Sequence, residues 1–289
     1  MLLAVNSGIF KPFGFPGEIE KTLEAGFRAV DMSLIRFENN PLFSAEKGAC
    51  MKKIQCMLKE YGAVIHQTHA PFPSYKQGED EYNKLLKERT LQAIEISAEL
   101  GAKQVIIHPI HFKGASKQEQ LERNLELYAP YGALAKQCGI KIAIENMWGH
   151  HRDKNDFIVK NVCSDAEELC TYLAALGEGY TICLDLGHAG LVGEAADEMI
   201  LAIGKERLGA LHVHDNDFYN DTHTAPFFGN MNWERITSAL AAIDYDESFT
   251  FEVDGAFMPP VKELRLPAAR YLFEIGNYLT GEIERKKAK

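Results

Sequence analysis

The chain of 289 residues is 46% hydrophobic, which is enough to bury a sizeable core and excludes an intrinsically disordered protein. Its net charge of −10 comes from 31 lysine and arginine residues against 41 aspartate and glutamate residues, and because such a surface repels phosphate backbones, nucleic acid is not an expected partner. No apolar run is long enough to span a membrane, and the first residues, MLLAVNSGIF, lack the basic region of a signal peptide.

Short β-branched apolar runs alternate with amphipathic helical patterns along the chain. Strands are predicted at Leu2–Val5, Ala29–Met32, Val64–His69, Gln104–His108, Lys141–Glu145, Thr181–Asp185, Ala210–His214 and Phe249–Val253. Helices are predicted at about residues 17–25, 45–61, 81–100, 117–138, 165–176, 194–204, 232–243 and 261–281. Several glycines, such as Gly62 and Gly139, follow a helical stretch directly, where a left-handed residue ends a helix at little cost. Ser164 with Glu167 predicts a capping box before the sixth strand.

This alternation favours parallel strands joined by right-handed crossovers. Runs such as VIIH and IAIE are apolar on both faces, which fits a barrel wall that is covered by helices outside and filled by side chains inside. An open doubly wound sheet would need a glycine-rich phosphate turn after its first strand, and IFKPFGFPG lacks the G-x-G-x-x-G spacing. The sequence therefore predicts an α/β fold, a (β/α)8 TIM barrel, as a single domain over residues 1–289. Six cysteines without a C-x-x-C pair indicate reduced thiols, so we expect a cytoplasmic protein.

Polar residues stand where six successive strands end, and in a barrel these ends share one mouth. They are His69, His108, Glu145, Asp185 with His188, His212 with His214 and Asp215, and Glu252. Because so many buried charges are costly unless a cation neutralises them, the pattern predicts a divalent-metal site. Its expected ligands are Glu145, Asp185, His212 and Glu252. Three carboxylates with one imidazole suit Mn²⁺, Mg²⁺ or Co²⁺, whereas a histidine-rich set favours Zn²⁺.

The neighbouring residues have less specific interpretations. His214 and Asp215 are candidates to orient His212 from behind. Trp148 and Phe72 follow strands five and three, and they are either core residues or walls against a small substrate. A lone histidine is more often a hydrogen-bonded core group than a ligand, as we expect for His66.

Seven segments, in this order and on these strand ends, resemble the xylose isomerase-like barrel superfamily over nearly the whole chain. They are HAPF (69–72), IIHP (106–109), AIENMWG (143–149), CLDLGHAGL (183–191), HVHDND (212–217), DTH (221–223) and FEVDG (251–255). This superfamily contains sugar isomerases, sugar epimerases and endonuclease IV.

Similarity to the ketose 3-epimerases implies a divalent-metal-dependent isomerase or epimerase of a sugar or sugar phosphate. Glu145 and Glu252 would then be catalytic, transferring protons through a cis-enediolate while they also bind the metal, and His188 would hold the substrate. The substrate contacts expected with it are His69, His108, Trp148, Asp221 and His223. We also expect a homo-oligomer, because barrel enzymes commonly assemble through their helices.

Similarity to endonuclease IV implies a different use of the same residues. All nine ligand types of its three zinc ions can be placed, which adds His69, His108, His188, Asp221 and His223 to the metal candidates. The alternative function is therefore a multinuclear zinc phosphoesterase or other hydrolase of a small substrate. Both resemblances have gaps. The arginine that epimerases carry after strand seven is absent between His212 and Trp233, and the basic DNA-facing loops of endonuclease IV are missing.

Overall fold

The computed structural model describes residues 1–151 and 157–288 of the chain. The strands within these ranges are β1 (Leu2–Asn6), β2 (Ala29–Ser33), β3 (Val64–His69), β4 (Gln104–Ile107), β5 (Lys141–Glu145), β6 (Trp148–His151), β7 (Phe157–Lys160), β8 (Tyr180–Asp185), β9 (Leu208–His212) and β10 (Ser248–Phe251). All except β6 and β7 form one parallel sheet in the order β10-β1-β2-β3-β4-β5-β8-β9. The sheet closes beyond β9, where Val213 N donates to Thr250 O over 2.9 Å and Glu252 N donates to Val213 O over 3.1 Å. The predicted (β/α)8 barrel is confirmed.

Helices cover the outside of this barrel. They are α1 (Gly17–Glu24), α2 (Lys47–Tyr61), α3 (Asp80–Glu99), α4 (Lys117–Cys138), α5 (Ala166–Leu176), α6 (Leu186–Leu191), α7 (Ala196–Ile203), α8 (Trp233–Ala242) and α9 (Lys262–Lys287), with 3-10 segments at Ser7–Phe13 and Pro41–Phe43. Left-handed Gly62 and Gly139 end α2 and α4, as predicted. None of the described helices combines the length and the apolarity that a membrane crossing needs.

The predicted capping box of Ser164 and Glu167 is wrong by one residue. Asp165 caps α5 by accepting a hydrogen bond from Glu168 N over 2.9 Å. The Ser164 hydroxyl lies 2.7 Å from the carbonyl oxygen of Met147 instead, which joins the start of α5 to the connection between β5 and β6. Aspartate and serine are both strong N-cap residues, so their order in the chain does not show which one takes the position.

Side-chain alternation along the strands decides which residues face the barrel interior. Ile106, Ala143, Cys183 and Ala210 form a small buried cluster apart from the main core, one residue each from β4, β5, β8 and β9. Their neighbours, such as Val105 and Ile144, belong to the main core between strands and helices. Because strand residues two apart share a face, the residue two positions after each member of the interior cluster also points inward, toward the mouth.

Candidate metal centre

Three of the four expected metal ligands occupy these inward positions at the barrel mouth, and the fourth, Glu252, lies beside them. Glu145, Asp185 and His212 are the last residues of β5, β8 and β9, and each lies two residues after a member of the interior cluster. Glu252 directly follows β10. One ligand atom from each of the four residues lies within 4.8 Å of those of the other three. The structure therefore brings the predicted ligand set together.

His212 lies at the centre of this group. Its Nδ1 is 3.0 Å from Oε1 of Glu145 and 3.2 Å from Oε2 of Glu252. Its Nε2 is 3.3 Å from Oδ2 of Asp31 on β2, an oxygen that also accepts a hydrogen bond from Asn6 over 3.0 Å. Asp31 thus lies behind the imidazole, on the side away from the two glutamates, where a carboxylate usually orients a histidine ligand.

The prediction that His214 and Asp215 orient His212 is wrong. His214 Nε2 lies 3.0 Å from Oδ1 of Asp185. The reason is that β9 ends at His212, two residues before the predicted end, so His214 already belongs to the following loop. Sequence reasoning missed Asp31, although an acidic residue inside the apolar run AVDM was a usable signal.

Asp215 organises the loop that follows β9 instead. Its buried carboxylate accepts four hydrogen bonds, from the backbone N–H groups of Asn216, Phe227 and Met231 and from the indole N–H of Trp233. The loop between these residues carries Asp221 and His223, so Asp215 sets where those two side chains stand.

Glu145 also belongs to a second group on the side of β3 and β4. His108 Nε2 is 2.8 Å from Oε2 of Glu145, and His69 Nε2 is 3.8 Å from the same oxygen. The two histidines are themselves 3.1 Å apart at Nε2. Glu145 thus presents one carboxylate oxygen to His212 and the other to His69 and His108, which is the arrangement of a carboxylate able to bridge two cations.

A third group lies on the opposite side of Asp185. It contains His188, His214, Asp221 and His223, whose ligand atoms again lie within 4.8 Å of one another. Asp221 Oδ2 is 3.2 Å from Nε2 of His223 and 3.8 Å from Nε2 of His188. The rings of His214 and His223 stack with centroids 3.9 Å apart. The nine residues of the wider metal prediction therefore meet at one mouth, joined by His214.

Burial and neighbouring charges have opposite effects on the pKa values of Glu145 and His212. Burial alone would raise the pKa of Glu145, but His212 and His108 hold this pKa well below its ordinary value. Burial alone would lower the pKa of His212, but Cys183, Glu252 and Glu145 raise it well above its ordinary value. Glu145 therefore stays ionised, with positive charge favoured on the groups around it.

The third group shows the same opposition. Burial would raise the pKa of Asp185, but His188 and His214 bring it below its ordinary range. Burial would lower the pKa of His223, but the hydrogen bond with Asp221 helps to raise this pKa to about 10. Both sides of the mouth therefore hold ionised carboxylates that attract cations.

This donor set fits divalent cations. Two ligands on opposite sides of one ion, each about 2.0–2.4 Å from it, are at most about 4.8 Å apart. The first and third groups meet that limit, and so do His69, Glu145 and His212. Buried Nδ1 of His108 and Oδ1 of Asp221 have no hydrogen-bond partner among the described residues, which is unusual unless a ligand satisfies them. The first group, with three carboxylates and one imidazole, suits Mn²⁺, Mg²⁺ or Co²⁺, while the histidine-rich groups suit Zn²⁺.

A cavity of about 920 Å³ opens beside the metal-ligand candidates. Glu252, Asp221 and His223 line it, together with residues from the loops after β1 and β2. The other expected substrate contacts His69, His108 and His188 are buried and are not on its wall.

The two aromatic candidates differ in position. Phe72 lines the cavity, and its ring lies 4.8 Å from that of His108. Trp148 lies in the hairpin of β6 and β7, which the sequence did not predict, with its ring 6.4 Å from that of His188. Trp148 is not on the cavity wall.

Comparison with known proteins gives one match to a family model and many to solved structures. A family model described as a xylose isomerase-like TIM barrel matches residues 19–271. The structure of a D-tagatose 3-epimerase-like protein has a TM-score of 0.79 at 22% identity, over 99% of both chains. The IolI protein with a bound zinc atom has a TM-score of 0.77 at 16% identity, over 99% of both chains. D-psicose 3-epimerase, solved in the presence of D-fructose, has a TM-score of 0.75 at 17% identity, over 97% of this chain and all of that one. At these identities the likeness to solved structures establishes the fold.

Proposed function

We propose that this chain, which belongs to the xylose isomerase-like TIM barrel family, is a divalent-metal-dependent isomerase or epimerase of a sugar or sugar derivative. The observation that carries the proposal is the pair Glu145 and Glu252, whose carboxylates lie 3.0 Å and 3.2 Å from the same nitrogen of His212. The pair combines two functions in one place, since each carboxylate is both a metal-ligand candidate and a base of suitable position. The epimerase structures among the similar proteins support this choice of reaction.

A divalent cation held by Glu145, Asp185, His212 and Glu252 would polarise a sugar carbonyl and acidify the adjacent C–H bond. The remaining chemistry belongs to the side chains. Glu252 lines the cavity, so its carboxylate exchanges a proton with a carbon of the bound sugar. Glu145 contacts His108 and His212 and is buried off the cavity wall, so the reacting end of the sugar must reach beyond that wall for Glu145 to exchange a proton on its other face.

The carbon that receives the returning proton decides the product. Removal of a proton on one face and return to the same carbon from the other face inverts that centre, which is epimerisation. Removal of a proton from the terminal carbon and return to the neighbouring carbonyl carbon, with one hydroxyl proton moving between the two oxygens, interconverts a ketose and an aldose. Both paths pass through an enediolate of the sugar, and both exchange the transferred hydrogen with solvent.

A second candidate function rests on a different observation. His69 with His108 on one side, and His188 with Asp221 and His223 on the other, stand at ligand distances around Glu145 and Asp185. Three zinc ions held there would favour hydrolysis of a phosphoester by a metal-activated water. The bound zinc atom of the IolI structure supports a place for zinc in this family.

One experiment separates the two candidates. The protein is incubated in D₂O with a panel of ketoses and, separately, with phosphoesters, in the presence of Mn²⁺, Co²⁺, Mg²⁺ or Zn²⁺. We expect a converted sugar that carries solvent deuterium at the reacting carbon, measured by NMR and mass spectrometry. Conversion without deuterium would contradict the proton-transfer mechanism, and release of inorganic phosphate without any sugar conversion would favour the hydrolase.

A further inference from the structure

The cavity extends well away from the metal-ligand candidates. Its volume of about 920 Å³ is at the upper end of the roughly 300–1,000 Å³ of small-molecule sites. Glu252 lines it from the end of β10, whereas Ile35, Arg36 and Asn39 line it from the loop after β2. A ligand that reacts at Glu252 therefore has room to extend toward that loop.

Arg36 lines this wall with an exposed side chain, and its guanidinium has no ion-pair or hydrogen-bond partner within residues 1–151 and 157–288. The other strong base of the wall, Lys11, is neutralised by Asp254 at 2.7 Å. Glu38 also lines the cavity two residues further on, but it does not pair with Arg36. Arg36 thus presents a free positive charge to the cavity.

The loop after β9 offers no substitute for this charge. There is no lysine or arginine between His212 and Trp233, and the imidazole that this loop brings to the cavity wall, His223, is paired with Asp221 at 3.2 Å. Arginine is well suited to the task, because its planar guanidinium binds a carboxylate or a phosphate through two parallel hydrogen bonds.

We propose that Arg36 binds the anionic end of the substrate, so that the substrate class is a sugar carrying a phosphate monoester or a carboxylate. The position of the reacting end of that sugar, at Glu145 and Glu252, depends on the proposed function. The position of the anionic end is inferred separately, from the cavity and from the unpaired guanidinium of Arg36. A neutral sugar would leave Arg36 without a partner.

Binding tests this directly, by isothermal titration calorimetry on the full chain with the metal that it carries when purified. The ligands are D-fructose, D-fructose 6-phosphate and D-fructuronate, of which the second and third distinguish a phosphate from a carboxylate. The variants are Arg36→Gln, which removes the charge, and Arg36→Lys, which keeps it. The matched control is Arg270→Gln, because Arg270 is an exposed arginine of α9 outside the cavity wall.

We expect at least one charged ligand to bind about 10- to 100-fold more tightly than D-fructose, as for a charge-assisted hydrogen-bonded pair. Arg36→Gln should remove this preference while leaving the affinity for D-fructose unchanged. Arg36→Lys should keep part of the preference, and Arg270→Gln should keep all of it. Equal binding of charged and neutral ligands, a preference that survives in Arg36→Gln, or binding of none of the three would overturn the assignment.

Deuterium uptake, measured in parallel, tests the proposed function separately. Uptake without an Arg36-dependent preference would leave the proposed reaction standing and remove this inference. An Arg36-dependent preference without uptake would leave this inference standing and count against the proton-transfer reaction.

Discussion

Two networks of histidine and carboxylate lie at opposite ends of the barrel, a half-exposed one at the base and a buried one at the mouth. At the base, His66 lies 3.1 Å from Glu247 through Nε2 and 2.9 Å from the Ser248 hydroxyl through Nδ1. Lys103 binds the same glutamate at 2.8 Å. Both ring nitrogens of His66 therefore have partners, and the acid has a lysine beside it.

At the mouth the same residue types are combined differently. Glu145 and Asp185 are fully buried, and no lysine or arginine pairs with either of them within the described ranges. Buried atoms of His108 and Asp221 lack a hydrogen-bond partner there as well. A network whose groups satisfy one another stabilises a fold, whereas a network that leaves buried groups unsatisfied has room for a ligand. What distinguishes the mouth from the base is that, among the described residues, no lysine or arginine accompanies its two buried carboxylates.

The largest expected effect is a loss of activity that occurs in a variant of the mouth and not in a variant of the base. Glu145→Gln should reduce sugar conversion by about 10²–10⁴-fold and lower the metal content, because it removes a proton-transfer group and a ligand. Glu247→Gln at the base is the matched control and should leave kcat unchanged. Steady-state kinetics with metal analysis measures both variants. Comparable activity losses in both would mean that the mouth is not distinct from the base.

The next effect concerns the loop that carries Asp221 and His223. Asp215→Asn should lower the free energy of unfolding by roughly 2–4 kcal/mol, since the amide N–H₂ leaves buried donors without an acceptor. Asp217→Asn is the control in the same loop, because the Asp217 carboxylate binds exposed partners. Urea denaturation compares the two variants. Equal stability of the two variants would show that Asp215 does not organise this loop.

A smaller effect is expected behind the metal-ligand candidates. Asp31→Asn should weaken metal binding by about 10–100-fold, because the Asp31 carboxylate lies 3.3 Å behind the His212 ring and its charge favours that ring orientation. A competition titration with a fluorescent chelator gives the affinity. An unchanged affinity would place Asp31 among purely structural residues.

The smallest effect belongs to the base. The hydrogen bond to His66, with help from Lys103 and against burial, lowers the pKa of Glu247 from 4.5 to about 2. A carboxylate with a lowered pKa contributes stability that is complete above pH 4.5 and disappears as the pH falls through about 2. Glu247→Gln should therefore cost about 1 kcal/mol or less at neutral pH, and the difference from the wild type should shrink below pH 4.5. Urea denaturation at several pH values measures this, and a difference that stays constant as the pH falls would contradict it.

Many residues of the mouth could be predicted because side chains alternate between the inner and outer faces along each strand, and this alternation can be read from the sequence. Once eight strands are placed, the residue two positions after an inward Ala143, Cys183 or Ala210 must also face inward, which gives Glu145, Asp185 and His212. The ends of β9 and β10 were predicted two residues too late, because HVHD and FEVD keep strand-like alternation after the ladder stops.

Two of the errors concern contacts between different strands or the loops that follow them. His214 lies against Asp185 and Asp31 lies against His212, and local pattern does not encode such contacts. Asp31 reaches His212 across the barrel interior, a separation of 181 residues in sequence. The hairpin of β6 and β7 was missed for a different reason, since its short strands lack a regular apolar alternation.

The amount of metal bound per chain tests the central claim most directly. Elemental analysis of the gently purified protein, kept free of chelators, should find one Mn²⁺, Co²⁺ or Mg²⁺ per chain, bound by Glu145, Asp185, His212 and Glu252 and much reduced in Glu145→Gln. Two or three zinc ions per chain would favour the hydrolase. A protein that binds no divalent metal, even when metal is supplied, would contradict the account.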